Sequence, residues 1–122
     1  MSSINTIFNK LESSSEICTC QDAMYLHRLY LNIEHSIEIY FKQAGKIITK
    51  SASYHKDLLI DYFKELGLEK SDIFTIVDEL RGFRHIFNKR ADILEFLSQS
   101  INILKDKILK FKDKIIEQFG EI

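Results

Sequence analysis

The chain has 122 residues, 45% apolar and 29% charged, with 17 Lys and Arg against 18 Asp and Glu, a net charge of −1. This is enough apolar mass for one core in a single domain over residues 1–122. It excludes a disordered chain, and the near-neutral balance excludes a global field that would draw it onto nucleic acid or a membrane. With no proline and only Gly45, Gly67, Gly82 and Gly120 as glycines, the chain lacks the turn residues of a sandwich, a barrel or a parallel α/β fold. The expected class is all-α, a bundle of four to five antiparallel helices.

Ile4, Ile7, Phe8 and Leu11 follow helical spacing and predict a short first helix ending near Ser13-Ser14-Ser15. The second is the clearest. Ala23, Leu26, Tyr30, Ile33, Ile37, Tyr40 and Ala44 alternate steps of three and four, a seam for packing against another helix, and Gly45 is a natural stop. A third helix carries Leu58, Leu59, Tyr62, Phe63 and Leu66, with Gly67 just past its end. Ser71 or Asp72 can cap a fourth, running through Ile73, Ile76, Val77, Leu80, Phe83 and Phe87, with Gly82 inside it as a mark of close packing or a bend. Leu94, Leu97, Ile101, Leu104, Ile108, Phe111 and Ile115 predict one long last helix from about Asp92 to Phe119.

Cys18 and Cys20 are too close together to staple a fold and have no second pair with which to hold zinc, so free thiols are expected. The opening MSSINTIFNKLESSS has no basic stretch followed by an apolar one, and no apolar run approaches the ~18 residues of a membrane span. A cytoplasmic protein without membrane contact is expected.

Charge is unevenly placed. Residues 57–79 hold seven acids against Lys64 and Lys70, whereas residues 81–90 hold Arg81, Arg84, Lys89 and Arg90 with no acid. Such a basic block can grip phosphate, or it can pair with the acidic block beside it. The lysines of KDKILKFKDK at 105–114 are expected to form a solvated face. Glu34 and Glu38, one turn apart, read as a polar face, and His27 and His35 as bundle histidines.

Several chemistries are excluded. There is no Gly-rich phosphate loop, no Gly-x-Ser-x-Gly elbow and no His-Glu-x-x-His zinc motif. A di-iron bundle wants Glu three residues before His, but Met24, Asn32, Ala52 and Gly82 hold those places ahead of His27, His35, His55 and His85. No metal and no cofactor are expected.

The informative stretch is Glu79-Leu80-Arg81-Gly82-Phe83-Arg84-His85-Ile86-Phe87-Asn88-Lys89. It resembles the "ELRxFRHxFRHxY"-like string late in the HepT-like branch of the HEPN domains, small helical bundles that act as ribonuclease toxins or their relatives. LHRLYLNIEHSIEIYF at 26–41 is similar to that branch's "LHxFYxxIExIF" helix. Ser53-Tyr54-His55-Lys56-Asp57-Leu58-Leu59 sits where the branch has a "DWHRELL"-like helix start. Together the matches span roughly residues 20–90.

The resemblance implies the toxin component of a toxin–antitoxin pair. Such a protein would be a homodimer that cleaves RNA without metal in a cleft across its two-fold axis, held in check by a minimal nucleotidyltransferase antitoxin. The family's active motif is Arg, four residues, then His, often with a Tyr two further on. Arg84 matches the arginine, Lys89 stands at the histidine position and Ala91 at the tyrosine position, and His85 directly follows the arginine. Arg84, His85 and Lys89 are therefore the candidate catalytic residues, and Arg81, Arg84, Lys89 and Arg90 the candidate RNA contacts. An arginine can hold a phosphate bidentately, whereas a solvated lysine, with an ordinary pKa of ~10.4, rarely accepts a proton at neutral pH. Cleavage weakened or lost, with binding retained, is the expectation. The alternative is a non-catalytic HEPN scaffold that binds RNA, a nucleotide or a nucleotidyltransferase partner.

Overall fold

The computed structural model describes residues 4–13, 19–46, 53–89 and 98–120, and among them every regular element is a helix. In chain order these are α1 (Ile4–Ser13), α2 (Thr19–Gln43), α3 (Tyr54–Glu65), α4 (Asp72–Lys89), α5 (Ser98–Lys110) and α6 (Lys112–Phe119). The chain is an all-α helical bundle.

The helix ends follow from local chemistry. Gly45 and Gly67 both adopt positive φ, 77° and 71°. At each, two backbone bonds close the preceding helix. Gly45 N–H donates to the Lys42 carbonyl and Lys46 N–H to that of Phe41; Gly67 N–H donates to Lys64 and Leu68 N–H to Phe63. These are paired left-handed terminations that glycine reaches without a Cβ penalty. Of the two cap candidates for α4, Ser71 takes the role. Its Oγ accepts from Phe74 N–H at 3.2 Å, and it donates back to the Leu68 carbonyl at 2.6 Å.

α2 is the central helix. At 25 residues it is about 38 Å long, and it packs against α1, α3, α4 and α5. Its seam residues Ala23, Leu26, Tyr30, Ile33 and Ile37 are buried together with Ile7, Phe8 and Leu11 of α1, Leu59 and Phe63 of α3, Val77 and Leu80 of α4, and Ile101 and Ile108 of α5. An aromatic cluster closes the far end, where Tyr62 and Phe63 meet Phe119 of α6 at centroid distances of 5.7 and 6.3 Å.

The long last helix predicted from Asp92 is broken. Its first residues, 92–97, lie outside the described residues. The remainder divides at Phe111, whose φ of −101° and ψ of 13° leave the helical region. Phe111 N–H reaches back to both the Lys107 and Ile108 carbonyls, so α5 tightens before it stops. α6 then packs against α1 as well as α5.

Gly82 does not mark close packing. A Cβ at this position would meet no atom within 4 Å. No helix among the described residues is long and apolar enough to cross a membrane.

Candidate functional site

His27, Tyr30, Glu34 and Glu38 recur at steps of three and four along α2 and so lie along one side of it. This polar line runs beside the apolar seam and meets the start of α3 and the middle of α4. Glu34 is buried. Its Oε2 lies 2.7 Å from His55 Nδ1 at the start of α3, and the Tyr30 hydroxyl donates to it as well. One turn on, Glu38 accepts a hydrogen bond from the Tyr54 hydroxyl. The Tyr54 and His55 rings meet edge to face at 5.2 Å. A buried carboxylate is costly unless its lone pairs are filled. Here a phenol and an imidazole fill them.

The phenols pay back that contact in their own acidity. Burial, reinforced by Glu34, pushes Tyr30 far above the ordinary tyrosine range. Burial and the bond to Glu38 do the same for Tyr54. Both are neutral donors at any physiological pH.

α4 contributes the positive side. Arg81 Nε pairs with Asp78 at 2.9 Å, one turn back on the same helix. Arg84 is half-buried. Its Nε is closed off from solvent with no hydrogen-bond partner, and among the described residues no acid pairs with it. Both guanidinium groups are felt at the Tyr30 hydroxyl, where they partly offset Glu34. His27 lies beside Arg84. Burial first, and the guanidinium second, hold its imidazole below the usual histidine range, so it is neutral at pH 7.

Of the residues singled out by sequence, the structure thus sets Arg81 and Arg84 at the edge of this polar line. His85 and Lys89 lie on α4 but beyond the described side chains, and Arg90 lies outside the described residues. The structure sharpens two readings and corrects a third. Glu34 and Glu38 do share a polar face of α2, but it turns toward α3 rather than to solvent: Glu34 is buried beside His55, and Glu38, half-buried, bonds Tyr54. The acidic and basic blocks meet only at Asp78–Arg81 among the described residues, while Glu79 turns instead to Lys107 and Glu65 to Lys46. The lysines of 105–114 do not all face solvent. Lys105 is 13% exposed, 3.2 Å from the buried Asp22, and Lys112 pairs with Glu12.

Sequence reasoning missed Tyr30, Glu34 and His55 as a unit. The signal available was the second periodic line on α2, polar and one step round from the apolar seam. What it faces depends on α3, 21 residues away. Among the described residues no group of three or more His, Cys, Asp or Glu could hold a metal ion. Two surface hollows lie elsewhere. One, of about 350 Å³, is bordered by Tyr40, Gln43, Tyr62 and Gln118. The other, of about 370 Å³, lies between α4 and α5 over Gly82, Phe83 and Ile103.

Comparison with protein-family models, with curated proteins and with solved structures gives no match for this chain.

Proposed function

We infer that this chain acts on RNA as a HEPN-like, HepT-type protein. In this reading it is the toxin side of a toxin–antitoxin pair, working in the cytoplasm as a homodimer and neutralised by a minimal nucleotidyltransferase. The observation that carries the reading is Arg84. A half-buried guanidinium that no acid pairs with among the described residues, beside a histidine held neutral, is a cation suited to an external anion. Its planar fork suits a phosphodiester, and Arg81 adds to the same field. Met24, Leu31 and Ile103 are exposed large apolar side chains, surface that a second copy would cover. The alternative, a scaffold that binds without cutting, is favoured by Lys89 at the motif's histidine position.

The test is binding of a labelled single-stranded RNA by fluorescence anisotropy. Arg84→Ala should weaken binding about tenfold or more, and Arg84→Lys, which keeps charge without the fork, should lie between. Equal affinity of wild type and Arg84→Ala would end this reading. A solution mass near 14 kDa at micromolar concentration would remove the homodimer from it.

A further inference from the structure

We propose that His55, held by Glu34, is the proton-accepting residue of the same site, with the 2′-hydroxyl of an RNA phosphodiester as its target. The inference rests on the RNA reading above but on different residues. His55 Nδ1 is occupied by Glu34 Oε2 at 2.7 Å. Nε2 has no hydrogen-bond partner among the described residues, and the side chain is 39% exposed, so the free nitrogen is the one a substrate can reach. Glu34 is itself buried and fixed on its other side by Tyr30. A carboxylate on Nδ1 sets the tautomer that leaves the Nε2 lone pair open and stabilises the imidazolium formed when that nitrogen takes a proton.

Glu34, Arg81 and Arg84 all act on the Tyr30 hydroxyl. Tyr30 joins them, hydrogen-bonded to Glu34 and lying in the field of Arg81 and Arg84. Among the described residues, the other titratable groups bonded beside the pair are Glu38 on α2 and Tyr54, next to His55 on α3, which are bonded to each other. This arrangement supplies what Lys89 cannot, an imidazole whose Nδ1 is held by a carboxylate and whose Nε2 can accept a proton. The step is a transesterification. Nε2 takes the 2′-hydroxyl proton, the 2′ oxygen bonds to the adjacent phosphorus and the bond from phosphorus to the 5′ oxygen breaks. The departing oxygen takes a proton from water, and the imidazolium returns its own to the hydroxide so formed. The products are a 2′,3′-cyclic phosphate and a 5′-hydroxyl, and neither water nor metal is consumed. Glu34 is a positioning residue and His55 a catalytic one.

The experiment is single-turnover cleavage of a labelled single-stranded RNA by the full chain in chelator, with affinity measured in parallel for wild type, His55→Ala, His55→Gln, Glu34→Gln and Arg84→Ala. General base removal should cost about 10²–10⁴-fold in rate in both His55 variants, with RNA affinity held within about twofold. Free imidazole should restore part of the rate to His55→Ala, which it would not do for a residue that merely supports the fold. His55→Gln retains an N–H toward Glu34 and guards against loss of structure. Glu34→Gln should lose rate without losing affinity. Wild-type rates in the His55 variants overturn the dyad and leave the RNA reading standing. So does a rate loss that imidazole does not rescue. Arg84-dependent binding without cleavage by the wild type also overturns the dyad, in favour of the scaffold. Absence of RNA binding by the wild type removes the RNA reading, and the dyad with it.

Discussion

The two sides of α2 treat charge differently. Toward α5, Asp22 is buried and answered by Lys105 at 3.2 Å. Nearby on the bundle Lys112 meets Glu12 and Lys107 meets Glu79, so three lysines of α5 and α6 pair with acids of the same chain. Toward α3 and α4, the buried acid Glu34 is answered by a phenol and by a half-exposed imidazole, while the half-buried Arg84 has no acid partner among the described residues. The first side is a closed ion-pair contact that locks helices together. The second keeps hydrogen-bonding and positive groups close to one another, and the proposed RNA site rests on that difference.

Substitutions can break this contrast, and the largest effect belongs to the closed side. Lys105→Met leaves Asp22 buried without its ammonium and should lose about 3–5 kcal/mol of stability, read by urea unfolding. The double variant Asp22→Leu with Lys105→Met should recover most of it, because no unpaired charge then remains. On α4, Gly82→Ala should gain about 1 kcal/mol, since a helical interior prefers alanine and nothing stands within 4 Å of the new methyl. A loss there would mean that the groove over Gly82 is filled in solution.

The open side gives smaller signals of a different kind. His27 is held below its unfolded pKa, so the unfolded chain binds the extra proton. The stability it contributes is fully present above about pH 6.5 and falls as the pH drops below that value. Removing the charge by Arg84→Met should raise the His27 titration midpoint seen by NMR, though not fully to the ordinary value, because burial is the larger cause. The same Arg84→Met change should alter unfolding free energy by less than about 1 kcal/mol. A loss as large as that at Lys105 would make Arg84 a structural residue and erase the contrast.

Much of the bundle was legible in the sequence because burial repeats with the helix period. Ala23, Leu26, Tyr30, Ile33 and Ile37 mark the core side of α2 unaided, and Gly45 and Gly67 mark the two ends that need positive φ. The break at Phe111 was not legible. Leu104, Ile108, Phe111 and Ile115 keep stepping by three and four straight through it, with no proline or glycine to interrupt. Lys105 looked solvated for a related reason. Its partner Asp22 is 83 residues away, and only the packing of α2 on α5 brings them together. Arg81 and Arg84 are visible as part of a basic block, yet that Asp78 pairs with Arg81 and no described acid with Arg84 is a fact of three dimensions. Glu34 and His55 were each visible and were read apart. Pairing across two helices leaves no periodic trace.

The turn at Phe111 has a consequence for how the chain assembles. By ending α5 there, it lets α6 fold over α1, and Lys112 reaches Glu12 across 100 residues of sequence. Contacts that distant form late, because a long loop must close before they repay its entropy. During synthesis α1 can pack on α2 early, but the part of it that α6 covers stays open until α6 emerges. α6 acts as a clasp, tying the first helix of the bundle to α5.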